Sequence, residues 1–278
     1  MAMRSKSRRR KNLQKAMNEP ISFRQSSDGS VSAYNAEYNE CYHSLKDGAL
    51  SETFYKHIFP SLKHLSLENL PKTLCVLDMC FGLGYNSLTL LSALARGEWL
   101  QYRGRVKIYS PEKDRHVFSM LHTLDYPPFI RDTFSDMKAM FEFFESAAWE
   151  AGSVYVGEAR GVGFELCLYK GEALEFLHNM RHDEMMRESF HIVYQDAFSP
   201  KKNPTLWSRE YFSLLHWLLH PRGIITTYSQ SKEIRENAKE AGLRVYDYKN
   251  EKVRAGSVMA KGSLNLPNLV EYPKARNV

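Results

Sequence analysis

Cysteine is scarce: Cys41, Cys75, Cys80 and Cys167 are the only four in 278 residues, with no C-x-x-C pair and no histidine at metal-ligand spacing. A disulfide framework and a zinc module are therefore not expected, and the thiols read as reduced and mostly buried, in a cytoplasmic protein. No apolar run approaches the ~18 residues that a membrane helix needs. The N-terminus lacks the apolar core of a secretory signal. Internal repeats are missing, and no biased tract occurs beyond the first residues. What is present is enough apolar material, 43%, for a sizeable core, hence one large domain or one domain with an appendage. The formal charge of +6 and pI near 9.0 permit an anionic partner such as RNA.

The chain is organised around residues 73–91, TLCVLDMCFGLGYNSLTLL. Leu74, Val76 and Leu77 belong to a short β-compatible run ending in Asp78. A loop with Gly82 and Gly84 follows, then a helical pattern from Asn86 to about Leu94. Strand, glycine turn and helix in that order hold adenine-containing cofactors in Rossmann-like domains. The glycines admit close backbone approach, and the new helix offers free N–H groups. Ser87 stands where a third glycine would complete the dinucleotide fingerprint, so a plain αβ turn is the competing reading. The context favours a cofactor. Asp78-x-Cys80-x-Gly82-x-Gly84 is close to the acidic glycine pattern of S-adenosylmethionine enzymes. A second strand at 106–109 is followed by Glu112, a carboxylate placed to accept ribose hydroxyls.

Residues 1–19 are dense in arginine and lysine and read as a basic disordered tail, either a phosphate-contacting arm or a solvated end. Residues 20–70 form an aromatic-rich N-terminal extension that lids the cofactor or fills space beside the sheet. Within it, 32–40 reads as irregular and 51–59 as a helix with Ser51 and Glu52 in its first turn. The Rossmann-like domain spans 71–262. Residues 115–150 read as helical, with Met137, Met140, Phe141, Phe143 and Phe144 as core. An inserted hairpin is expected at 153–160, a third strand at 164–169 leading to Gly171 and Glu172, and a helix at 173–180. Glu172 suits either the adenine amino group or a helix start.

A fourth strand, 190–194, runs into Gln195-Asp196-Ala197-Phe198-Ser199-Pro200-Lys201-Lys202-Asn203-Pro204. Ligands of open α/β sheets sit beyond the carboxyl ends of the strands, so Asp196 falls where a cofactor's reactive end lies. The prolines block helix formation until Thr205 caps a helix over 206–219. A carboxylate beside Phe198 and Trp207 suits an amine substrate; an Asx turn is the alternative. Strand five is expected at 224–228, a helix at 231–241, and a closing strand pair at 243–248 and 257–260. A terminal hairpin on a doubly wound sheet is the methyltransferase variant. The tail, 263–278, reads as loose.

With both stretches in hand, the sequence resembles the methyltransferase half of the bacterial tRNA-modifying enzyme MnmC, in a stand-alone form without the flavin-dependent oxidase half. The resemblance covers roughly residues 20–262. It rests on Tyr42-His43-Ser44 with Gly48 and Glu52-Thr53, on Asp78-x-Cys80-Phe81-Gly82-Leu83-Gly84-Tyr85-Asn86, on Glu112-Lys113, and on Asp196-Ala197-Phe198-Ser199-Pro200-x-x-Asn203-Pro204-x-x-Trp207. It implies a Rossmann-like class I fold, mostly parallel, with S-adenosylmethionine as cofactor, and methylation of the 5-aminomethyl group of wobble uridine 34. Carried over, Gly82 and Gly84 line the methionine part, with Asp78, Asn86 and Lys113 in the cofactor set. Glu112 holds the ribose, and Gly171 and Glu172 sit by the adenine. Tyr42, Ser44 and Glu52 close over the cofactor. Asp196 meets the amine, and Phe198 and Pro200 shape the uracil pocket. The sequence departs from the family at Cys80 for the first glycine, at Glu172 for an aspartate, at His43 for an aromatic, and by one residue inserted before Glu52.

The expected chemistry is an in-line displacement in which Asp196 orients the amine and takes up or passes on its proton. The wobble base would stack on Phe198 or Trp207, with Ser199 nearby. Lys201, Lys202, Lys249, Lys252 and Arg254 would meet anticodon phosphates. The partner is the tRNA anticodon stem-loop; no metal and no membrane are called for, and a monomer is expected. The competing classes are an NAD oxidoreductase, an aminopropyltransferase and a catalytically silent RNA-binding module.

Overall fold

In the computed structural model, which describes residues 20–66, 70–97 and 102–273, the chain opens with three antiparallel strands: β1 Ile21–Gln25, β2 Val31–Asn35 and β3 Glu40–Cys41. The expected basic tail lies outside the described residues. The segment expected to be irregular thus holds β2. Its order comes from distant partners that no local pattern announces: Tyr85 Oη donates to the Val31 carbonyl (2.8 Å) and Asn35 Nδ2 to Asp114 (2.8 Å).

The helix expected from Ser51 starts earlier, as α1 Ala49–Thr53, after Gly48 at φ 91°. Its free N–H groups are met by the β1–β2 turn and not by a local side chain. Ala49 N–H donates to Ser26 Oγ, Leu50 N–H to Ser30 Oγ and Ser51 N–H to the Asp28 carboxylate. α1 continues through a π-helical turn, Phe54–Ile58, closed by a bond from Phe59 N–H to the Phe54 carbonyl, into α2 Phe59–Leu65.

The remaining elements alternate strand and helix: β4 Thr73–Met79, α3 Tyr85–Arg96, β5 Arg105–Glu112, α4 Arg115–Met120, α5 Pro128–Arg131, α6 Met137–Ser146, β6 Gly152–Ala159 and β7 Val162–Lys170. Then follow α7 Ala173–Arg181, β8 Phe190–Gln195, α8 Arg209–Leu218, β9 Leu219–Thr227, α9 Lys232–Glu240, β10 Arg244–Asn250, β11 Val253–Ala260 and β12 Val270–Glu271. Residues 115–150 hold three short helices and not one: Pro127 and Pro128 bar a continuous helix through that point, and Pro128 takes the first position of α5, where its missing N–H is not needed. Met140, Phe141 and Phe144 are buried, as expected of core. Ser208 caps α8 by accepting from Tyr211 N–H, the role expected of Thr205; Thr205 lies instead in a 3₁₀ turn, Pro204–Trp207. The stretch after Gly262 is not loose throughout, since β12 pairs with β10 and Tyr272 N–H bonds the Val245 carbonyl (2.8 Å).

The nine strands order as β12-β10-β11-β9-β8-β4-β5-β7-β6. β7, β5, β4, β8 and β9 run parallel, and the flanking pairs are antiparallel. Alternating side chains of one strand therefore feed two cores. Leu74 and Val76 pack with Leu88 and Ile108 on the α3 side, while Leu77 and Met79 pack with Val193 and Leu215 on the α8 side. The connection order reverses between β4 and β8, where a doubly wound sheet leaves a crevice beyond its carboxyl ends. This is a Rossmann-like α/β fold with a C-terminal antiparallel hairpin.

Candidate active site

Two openings meet at that crevice, and Tyr42, Asp196 and Phe198 line both. The first is a cleft between Gly82, Glu112, Lys113, Asp114, Gly171, Glu172 and Tyr38. Glu112 ends β5 there, with Oε2 accepting from Gly82 N–H (2.7 Å) and Oε1 from Asp114 N–H (2.8 Å). Burial pushes this carboxyl up to about 7 against those two bonds. A carboxylate has about four lone-pair sites, so two remain for hydroxyl donors. Gly82 sits at φ 51°, and a Cβ there would meet the Tyr42 ring at 3.1 Å. The floor thus stays bare beneath the Tyr42 ring. Cys80, the residue in place of a glycine, adopts φ 68° and shares the cleft wall. Tyr42 is fixed by its hydroxyl, which donates to Asp114 (3.1 Å) and accepts from Asn35 (3.1 Å). An acid with acceptor sites to spare, a bare glycine turn and aromatic walls fit a nucleoside cofactor such as S-adenosylmethionine.

The second opening, about 400 Å³, lies on the other side of Asp196 and is lined by residues 40–46, Glu52, Tyr228 and Arg254. Here the buried Lys56 ammonium sits between Glu52 (2.6 Å) and Asp47 (3.2 Å). Ser44 N–H donates to Glu52, and Arg254 reaches Asp47 and Ser44 Oγ from the rim.

Asp196 follows β8, and its side chain is 7% exposed. Asn86 Nδ2 donates to Oδ2 (3.1 Å); His57 Nε2 faces Oδ1 at 3.6 Å and His43 Nδ1 faces Oδ2 at 3.8 Å, just beyond bonding length. Burial alone would raise this acid, but His57, His43 and Asn86 outweigh it and hold it below the usual carboxylate range. His57 is anchored from behind by Thr226 Oγ1 (2.7 Å). Phe198 stacks on Tyr38, with centroids 4.5 Å apart.

The other site residues expected from sequence fall elsewhere. Asp78, Gly84 and Asn86 line neither opening; Asp78 and Asn86 form a buried layer beneath Asp196. Ser44 and Glu52 face the second opening and not the cleft. Trp207 is buried, with its indole N–H on the Phe198 carbonyl (2.8 Å), so its face cannot take a base. Ser199 ties the loop to Glu40 (2.8 Å), with Pro200 beside it, and Lys201 and Lys202 are exposed outside both openings. Sequence reasoning missed Tyr38 in the cleft wall, His43 beside Asp196, and His57. A histidine directly after a tyrosine in an aromatic-rich segment was the only signal for His43, and His57 had none.

Residues 142–262 match a family model described as S-adenosyl-L-methionine-dependent methyltransferase. The crystal structure of MNMC2 from Aquifex aeolicus superposes with a TM-score of 0.64 at 26% identity, covering 88% of this chain and 72% of that one. The fold is therefore the Rossmann-like one, and the class it resembles is that of the S-adenosyl-L-methionine-dependent methyltransferases. Within that class the chain resembles the methyltransferase half of MnmC. It is 28% identical over 242 residues to the tRNA 5-methylaminomethyl-2-thiouridine biosynthesis bifunctional protein MnmC of Azoarcus sp., covering 81% of this chain and 33% of that protein. An uncharacterized protein of Methanocaldococcus jannaschii is 26% identical over 259 residues, 93% of this chain and 64% of its own. The chain thus spans between 33% and 64% of the length of these curated relatives, less than two thirds in each case.

Proposed function

We propose that the protein methylates the 5-aminomethyl group of wobble uridine 34 in tRNA, giving 5-methylaminomethyluridine with or without 2-thiolation. The observation that carries this reading is Asp196, a buried carboxylate held charged at the junction of a nucleoside cleft and a second opening. An anion there selects a cationic amine over a neutral hydroxyl. Glu112, Gly82, Lys113, Gly171 and Glu172 would hold the cofactor, which when bound supplies a sulfonium methyl. Asp196 would orient the amine, and Tyr42 and Phe198 would hold the uracil between cleft and opening. Arg254 at the rim, with the exposed Lys201 and Lys202, would meet anticodon phosphates of a cytoplasmic tRNA. The likeness to MnmC of Azoarcus sp. supports the substrate assignment.

Radiolabelled methyl transfer to bulk tRNA from a strain lacking this gene, followed by nucleoside mass analysis, tests it. Label in 5-methylaminomethyluridine is expected. Label in a different nucleoside, or none in tRNA while the protein still binds the cofactor, would sink the reading.

A further inference from the structure

His43 stands where the family resemblance places an aromatic, and the structure gives it surroundings an aromatic would not need. Its backbone N–H is tied to Ser32 Oγ (3.1 Å), and its ring packs edge-on against Tyr85. The residue is 8% exposed and lines the second opening beside Asp196. Its Nδ1 is buried without a hydrogen-bond partner and faces Asp196 Oδ2 at 3.8 Å. A nitrogen buried this way costs free energy unless something completes it. The 3.8 Å separation lies just outside direct bonding, and the two residues both line the opening an acceptor would enter.

We propose that His43 is the general base of the transfer: Nδ1 removes a proton from the acceptor ammonium while Asp196 holds the cation in place. This deepens the amine-methylation reading and rests on it. An alkylammonium has no lone pair and cannot attack carbon, so one proton must leave first. Asp196, held strongly acidic, is a poor match for that task. A neutral imidazole is a better one, and burial keeps His43 below its ordinary value and so unprotonated at neutral pH. The charged and titratable groups facing it are Asp196, Glu52, Lys56, His57 and Tyr85. The two carboxylates favour the imidazolium once the proton has arrived, while Lys56 and His57 oppose it.

The balance closes. The ammonium gives one proton to Nδ1, the free amine forms the new N–C bond as the C–S bond breaks with its pair left on sulfur, and a secondary ammonium leaves. The imidazolium then returns its proton to water through the opening. His57 is not exposed to that opening and is a positioning residue for Asp196.

The test compares wild type with His43→Phe and His43→Gln from pH 6.5 to 9, using hypomodified tRNA and, separately, concentrated methylamine as acceptor. Wild-type kcat should be level above pH 7. Both variants should be down about 10²-fold at pH 7, with rates climbing about tenfold per pH unit as solution supplies free amine. S-adenosylmethionine affinity and melting temperature should change little in His43→Gln. Independently of activity, histidine NMR should show the His43 midpoint falling in Asp196→Asn, since the anion that favours the imidazolium is gone. A level profile in both variants, or a His43 midpoint indifferent to Asp196, overturns the proposal. Transfer to methylamine but not to tRNA overturns the tRNA reading alone, and the pH profiles then judge His43. Transfer to neither overturns both.

Discussion

Asp78 and Asp196 end neighbouring parallel strands, both are buried, and one Asn86 amide touches both, at 3.3 and 3.1 Å. Their charges nevertheless diverge. Burial pushes Asp78 up to about 7, opposed by the Ser87 hydroxyl at 2.6 Å and reinforced by the neighbouring Asp196. Asp196, whose side chain keeps 7% exposure where Asp78 has none, is held low because two imidazoles and the amide face it. Burial sets the cost of a charge; partners decide whether the charge is kept. One acid supports the loop, and the other is available for a cationic substrate.

Replacing the charged member should have the largest effect. Asp196→Asn should cut methyl transfer by about 10²–10⁴-fold at neutral pH, with cofactor affinity nearly unchanged, as read by single-turnover assay and calorimetry. Equal loss of binding and rate would mean that the acid serves the cofactor instead.

Removing the shared amide comes next. Asn86→Leu takes a donor from both acids at once and should destabilise the fold by about 1–3 kcal/mol in urea titration, with a fall in activity.

The member with the raised value should betray itself by pH. Asp78 is raised in the folded state, so the native protein binds more protons than the unfolded chain between the ordinary value of 3.8 and about 7. Stability should therefore fall as pH rises through that window. Asp78→Asn should flatten the fall while keeping activity within several-fold. Asp196 carries the opposite sign: its contribution is present above pH 3.8 and lost on acidification through its lowered folded value. Melting curves at several pH values for both variants separate the two slopes.

The smallest effect is expected behind the imidazole. Thr226→Val removes the partner of His57 Nδ1 and should cost about 1 kcal/mol of stability and a few-fold in rate, through a less fixed Asp196.

This contrast also shows what the chain tells a reader. Strand, glycine loop, Glu112 and Asp196 were legible because each stands at a fixed offset from a local pattern: an apolar run, a glycine pair, a strand end. Fold class followed from the same periodicities. β2 was not legible, since its order depends on Tyr85 and Asp114, far along the chain. The start of α1 was missed for the same reason, its caps lying on another turn. Trp207 looked like a stacking platform until packing buried it. The contrast between Asp78 and Asp196 was invisible because histidines at 43 and 57 are brought to one carboxylate only by the folded N-terminal segment.

The π-helical turn at Phe54–Ile58 bears on how this segment tolerates insertions and deletions. A π turn holds one residue more than an α turn, and an α-helix rotates by roughly 100° per residue. Deleting one residue between Phe54 and His57 would let α1 run straight into α2 as one α-helix with the following side chains close to their present phase, because the π turn already absorbs the extra residue. A deletion inside α1 instead acts as a frame error in three dimensions, turning His57 off Asp196 while leaving the helix intact, so the π turn is the slack in this segment.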